Sequence, residues 1–282
     1  MINMNLLEKI LKCTNDEEVN KLIFKSITEM DKNSTKIEQL VFLDNGNFNS
    51  LFKGFIPLHT RIKYNNRAME TYGMETTDYF YEFAKFIRKY NIHTKAEIIY
   101  NLAIFINNYF GYPKNNDIRS IFLQSLVWKK DCSDEENFDA LDNLKIGDLK
   151  GVGVAMCTER AALAQQILSL FGFEVYYCLG CIDNDNHQET HCFNIVKRKN
   201  DYALLDYSMP VTAYNNNRIS NYYPFIGKIT TEEFIDFIKN GTLKTFLDYD
   251  IFNNYQQIVN GNTRTYVIGK LEIEKMDKAI KI

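Results

Sequence analysis

Three residues have the types and order needed for thiol chemistry: Cys157, His191 and Asp206. Cys157 lies in GVGVAMCTERAALAQQILSLFG, residues 151 to 172, where glycine-punctuated chain turns into a strongly helical run. The first turn of a helix leaves backbone N–H groups unpaired, and the helix dipole is positive there. That field favours a thiolate, which otherwise forms near about pH 8.5. The same N–H groups can hold the oxyanion created when sulfur attacks a carbonyl. His191 stands in ETHCFNIV and Asp206 in YALLDYSMP. The reading is that His191 opens one strand and Asp206 closes the next, with Arg198 to Asp201 as the turn between them. Such a hairpin brings both side chains to one edge of a sheet. A histidine there can take a proton from the thiol, and the carboxylate holds the imidazole in the correct tautomer. A lone cysteine or histidine in such a place is more often structural; the convergence of all three is the expectation.

The elements that must position these residues follow from local pattern. Thr158 to Leu170 is rich in helix formers, and Ala161, Leu163, Ala164, Ile167, Leu168 and Phe171 can line an apolar face. Gly172 is a natural stop. Glu174 to Ile182, His191 to Lys197 and Tyr202 to Tyr207 read as strands, with Asp183 to Gln188 as a loop. A helix packed on an antiparallel sheet is an α+β arrangement. Thr230 to Asn240 predicts a short helix with a Thr230–Glu233 capping box and Gly241 as its end. Thr265 to Ile273 is a last strand candidate, followed by a helical or frayed tail, Glu274 to Ile282.

Residues 1 to 130 form a mainly helical N-terminal region, and residues 131 to 282 the α+β core. Leu6, Leu7, Ile10 and Leu11 share one face of a first helix. Asn15 or Asp16 caps a second, with Val19, Leu22, Ile23, Ile27 and Met30 on its apolar side. Residues 35 to 43 predict a third. The stretch from Asp44 to Tyr72 is mixed and unassigned. Thr76 to Tyr90, Thr94 to Phe110 and Ile118 to Trp128 resume a helical period. Gly111 and Pro113 end the second of these. The charged run KKDCSDEENFDALD, from Lys129 to Asp142, reads as a solvated connection between the two parts.

The order and context of Cys157 before TERAALAQQIL, of His191-Cys192-Phe193 and of Asp206 in LLDYSMP resemble the transglutaminase-like superfamily of cysteine enzymes, a papain-like fold. FGFEVYYCLG resembles that family's strand after the helix that carries the cysteine. The resemblance covers about residues 145 to 210. Phe193 stands where the family frequently has Trp, and Val154, Ala155 and Met156 separate Gly153 from Cys157. The resemblance implies a Cys157–His191–Asp206 triad acting on a peptide or protein amide, as a peptidase, an amidase or deamidase, or a transglutaminase. It also makes Gln124 and Trp128 candidates for the second oxyanion donor, beside the Cys157 N–H. Glu159 reads as a first-turn acid favoured by the dipole. No metal or organic cofactor is required.

The rival constellation is a zinc site. Cys178, Cys181, His187 and His191 give C-x2-C-x5-H-x3-H, which would belong to a non-catalytic binding protein on the same fold. Joint ligation needs a turn at Leu179–Gly180, because residues three apart on a strand point to opposite faces. The remaining signals are exclusions. There are 33 basic and 36 acidic residues, a net charge of −3, so no charge excess points to nucleic acid. Six cysteines with no signal-peptide pattern read as thiols, and no apolar run is long enough to span a membrane. The expectation is a cytoplasmic protein without a membrane or nucleic-acid partner. No phosphate loop, G-x-G-x-x-G or H-E-x-x-H string is present.

Overall fold

The computed structural model describes residues 4–37, 39–41, 51–63, 71–111, 122, 144–184, 187–215, 218–247, 257–260 and 263–267. Its helices begin where a side chain can satisfy free backbone N–H groups. After α1 (Met4–Lys12), α2 (Asp16–Asn33) is capped by Asn15, whose side chain accepts from the Glu18 N–H at 2.9 Å. Three short strands follow: β1 (Gln39–Val41), β2 (Leu51–Lys53) and β3 (Arg61–Lys63). β4 (Thr71–Gly73) and α3 (Asp78–Tyr90) precede α4 (Lys95–Phe110), which opens on a reciprocal Thr94–Glu97 capping box. α5 (Cys157–Leu170) then leads into β5 (Val175–Asn184), β6 (His187–Lys197), β7 (Tyr202–Asn215) and β8 (Arg218–Ile229). α6 (Thr231–Asn240) has the predicted Thr230–Glu233 box and ends at Gly241. β9 (Thr242–Leu247), β10 (Gln257–Asn260) and β11 (Thr263–Val267) complete the chain as described.

One local expectation changes. Residues 35–37 are irregular and 39–41 form β1, where a third helix was predicted over 35 to 43. Leu40 is buried opposite Ile62 in a parallel pairing with β3, so a tertiary partner overrides the local pattern. Of the helix expected over 118 to 128, only Phe122 lies among the described residues, and it is helical.

The chain is an α+β protein. The large sheet runs β10-β7-β6-β5-β11-β9-β8, and β8 also pairs with β7. β5, β6, β7, β8, β9 and β11 thus close into an antiparallel ring. β2 extends the ring on β5 (Leu51 opposite Cys178), and β10 extends it on β7. Strand alternation sorts the side chains into two cores. Tyr176, Cys178, Phe193, Ile195, Leu204, Phe225 and Tyr266 fill the inside of the ring, where α6 adds Phe234 and Phe237. Tyr177, Leu179, Cys192, Val196, Ala203 and Leu205 face outward and join a second core with α1 to α5.

All of α5 is buried, not one face of it. It lies between the helices of the N-terminal half and the outer face of the ring. Its polar residues therefore need partners. Gln166 exchanges two bonds with the Ile56 backbone, at 2.8 Å each. Gln165 donates to the Gly54 and Val175 carbonyls at 2.7 and 2.9 Å. Asn194 of β6 donates to the Ala161 carbonyl at 3.1 Å and to Gln165 Oε1 at 3.0 Å. These bonds lock α5 in register with β6. Among the described residues, no helix is long and apolar enough to cross a membrane.

Candidate active site

The approach to Cys157 is built on the end of α4. A helix C-terminus leaves carbonyls unpaired. Here the Tyr109 and Phe110 carbonyls accept from the Gly151 and Gly153 N–H groups at 2.8 and 2.7 Å. Gly153 has φ +78°, and Gly111 has φ +83°. A Cβ on Gly111 would lie 3.1 Å from the Gly153 nitrogen, so the two segments approach this closely only with glycine. Arg160, in the first turn of α5 and 1% exposed, ties the junction together. It donates to the Ala155 carbonyl at 3.1 Å, to Asn107 Oδ1 at 2.6 Å and to the Gly111 carbonyl at 2.9 Å. Glu159 accepts from the Met156 N–H at 2.8 Å. Cys157 is thus the first residue of α5, in the positive field of its dipole, with its N–H free of any intrahelical partner.

His191 and Asp206 reach the same place by a route that differs from the sequence reading. β6 begins at His187, not at His191, and β7 continues past Asp206 to Asn215. The β6–β7 ladder nevertheless runs only from Lys197–Tyr202 to Asn194–Leu205. Beyond it the two strands part, and β7 shifts register against β8 after Asp206. His191 and Asp206 lie just past the last rung. Parting, not strand ends, makes the opening. His191 Nε2 meets Asp206 Oδ2 at 2.9 Å. The same oxygen accepts from the Tyr266 hydroxyl at 2.8 Å, and Oδ1 accepts from Ser208 N–H and Oγ at 3.1 and 3.2 Å. Asp206 is completely buried, so these donors replace water around its charge.

Because Nε2 is committed to Asp206, Nδ1 is the nitrogen left for Cys157, with which His191 interacts electrostatically. The Cys157 pKa is held well below that of an ordinary thiol. The largest cause is the Cys192 thiol hydrogen bond, which together with the His191 hydrogen bond and charge outweighs burial. For His191, burial opposes the charged form. The charge and hydrogen bond of Asp206, aided by Cys157, prevail and push its pKa up to about 10. Both directions favour a thiolate–imidazolium pair over the neutral one.

The zinc constellation does not assemble. The β5–β6 ladder is unbroken from Val175–Val196 to Asn184–His187, so the turn at Leu179–Gly180 is absent. Cys178 packs inside the ring, three residues from Cys181 and thus on the opposite face. His191 is bonded to Asp206, and the His187 side chain lies outside the described residues. Among the described residues no group of three or more His, Cys, Asp or Glu side chains is arranged to hold a metal. Gln124 and Trp128 also lie outside the described residues.

Several residues around the site carried no functional expectation. Cys192 is buried in the core, and its sulfur lies 3.7 Å from the hydroxyl of Thr158, the residue after Cys157; its place next to His191 was the available signal. Ser208 follows Asp206 by two residues. Tyr266 is 60 residues downstream of Asp206, and no local pattern joins them. No family model, curated protein or solved structure matches the chain.

Proposed function

We propose that the protein is a cysteine-dependent acyl-transfer enzyme with a transglutaminase-like, papain-like core, acting on an amide or thioester carbonyl. The observation that carries this reading is the buried His191–Asp206 bond, with the Cys157 sulfur at the start of a helix and electrostatically linked to His191. Cys157 is the nucleophile. Its sulfur forms a bond to the substrate carbonyl carbon, and the first-turn N–H groups hold the oxyanion. His191, already protonated, gives its proton to the leaving amine, and the acyl group stays on sulfur as a thioester. In the second half His191 takes a proton from the acceptor, water or an amine, and the thiolate is released. Water gives peptide-bond cleavage or deamidation; an amine gives a cross-link. Asp206 orients the imidazole and balances its charge.

The arrangement supports Nδ1 facing sulfur and Nε2 facing the acid. Only a histidine ring held at both nitrogens can pass a proton between thiol and substrate without rotating. The experiment is alkylation of the native protein with iodoacetamide across pH, with each cysteine followed by peptide mapping. Cys157 is 6% exposed, so a small probe is required. The expected result is selective labelling of Cys157 well below pH 8, lost in His191→Ala. Labelling no faster than at the other cysteines overturns the proposal.

A further inference from the structure

At the end of α5 away from Cys157 the surface opens into a cavity of about 470 Å³. α5 has 14 residues, so the two places lie about 20 Å apart along its axis. Three parts of the chain build the cavity: the start of α4, the bend between α5 and β5, and the turn from β6 to β7. Its apolar wall comes from Ile99 of α4, Ala203 of β7 and Ile226 of β8, all buried. Tyr100 and Phe173 add aromatic rings that are not fully buried. Apolar walls with a few polar groups around them are the usual make-up of a small-molecule site.

The charges on this wall are unbalanced. Among the described residues Lys95, Lys197, Arg198 and Lys199 stand against one carboxylate, Glu174. The whole chain has a net charge of −3, so the local excess runs against the average. Glu174 is already engaged: Lys53 Nζ lies at 3.0 Å, Lys197 Nζ at 3.9 Å, and the Tyr176 hydroxyl donates to it at 2.7 Å. Arg198 is engaged as well, with Asp201 at 2.6 and 2.8 Å. Lys95 and Lys199 form no ion pair among the described residues. Lys95 Nζ donates to the Gly172 carbonyl at 2.7 Å and lies 4.7 Å from the centre of the Phe173 ring. That bond uses one of three N–H donors and leaves two for a ligand.

We propose that this cavity is a second binding site, which takes a small aromatic anion with one carboxylate or phosphate head. The ring of the ligand lies against Ile99, Phe173 and Ile226, and its head sits between Lys95 and Lys199. Burial lowers the Lys95 pKa, and an anion beside it favours the charged form. The site does not include Cys157, so the inference stands or falls apart from the proposed function.

The test is calorimetric titration of the full chain at low salt with phenyl phosphate, phenylacetate, benzyl alcohol and inorganic phosphate. At least one of the two aromatic anions is expected to bind saturably, one to one, and the tighter identifies the head group. Benzyl alcohol lacks the charge and inorganic phosphate lacks the ring, so each is expected to bind at least about tenfold more weakly. Lys95→Gln is expected to weaken the anion about tenfold, and the more exposed Lys199→Gln about threefold. Ala96→Trp, at an exposed position of the wall, fills the space and abolishes binding. A thermal melt checks that each variant folds; should Lys95→Gln not fold, Lys199→Gln and Ala96→Trp decide. Failure of both aromatic anions to saturate at millimolar concentration overturns the inference. So does benzyl alcohol or inorganic phosphate binding as tightly as they do, or an affinity that every folded variant leaves unchanged.

Discussion

At the residue scale the site is governed by what a carboxylate can accept. Four donors converge on Asp206: His191 Nε2, the Tyr266 hydroxyl, and the N–H and hydroxyl of Ser208. A carboxylate accepts all four; an amide cannot, because it turns an NH2 toward one of them. Asp206→Asn is therefore expected to lower acyl transfer by at least about a hundredfold. It should also raise the pH at which Cys157 labels, measured by turnover and by alkylation on the same preparation. Dependence on pH has a definite sign. The Cys157 pKa is depressed, so labelling is expected to rise at a lower pH than for the other thiols. The His191 pKa is raised to about 10, so turnover falls as pH passes that value, when the leaving amine finds no proton. A turnover profile that falls instead near pH 6.5, the value of an unperturbed histidine, would contradict the ion pair.

At the scale of elements, the start of α5 is held from outside the helix. Arg160 satisfies three oxygens with one guanidinium, and truncating it leaves them buried without partners. Arg160→Met is expected to cost about 3 kcal/mol in denaturant unfolding and to slow Cys157 labelling, since the helix start loses its tie to α4. Gly153→Ala forces a side chain into positive φ and is expected to cost about 1–2 kcal/mol by the same measurement. Neither residue touches the reacting atoms. How much of this was legible depends on range. The helix after Cys157, the Thr230–Glu233 box and the Asn15 cap lie in a few consecutive residues, and sequence pattern finds them. The order Cys157, His191, Asp206 was legible because each carries a local context of its own. Where β6 and β7 begin and end was not, since their bounds are set by pairing partners and by the register shift after Asp206. The full burial of α5 was hidden too. The Gly54, Ile56 and Asn107 groups that bond Gln165, Gln166 and Arg160 lie far away in sequence, so no local pattern announces them.

At the scale of the whole molecule, the ring is what brings the acid and its supporting phenol together. β11 lies between β5 and β9, with Thr265 opposite Asp183 on one side and Lys244 on the other. Proline at a central strand position removes a ladder bond and distorts both neighbours. Thr265→Pro is expected to destabilise the protein by on the order of 3 kcal/mol, read by thermal or denaturant melting. It should also bring the labelling rate of Cys157 toward that of the other thiols, through loss of the Tyr266–Asp206 bond. A stable Thr265→Pro variant with unchanged labelling would show that closure of the ring does not support the acid.

Ring closure also sets a timetable. During synthesis Cys157, His191 and Asp206 all emerge well before Tyr266, whose strand wedges between two others and delivers the last donor to the carboxylate. A chain made only as far as Asp206 lacks the Tyr266 hydroxyl, one of the donors that replace water around the buried carboxylate. On the proposed function, Cys157 would reach full reactivity only once β11 has closed the ring and Tyr266 has met Asp206.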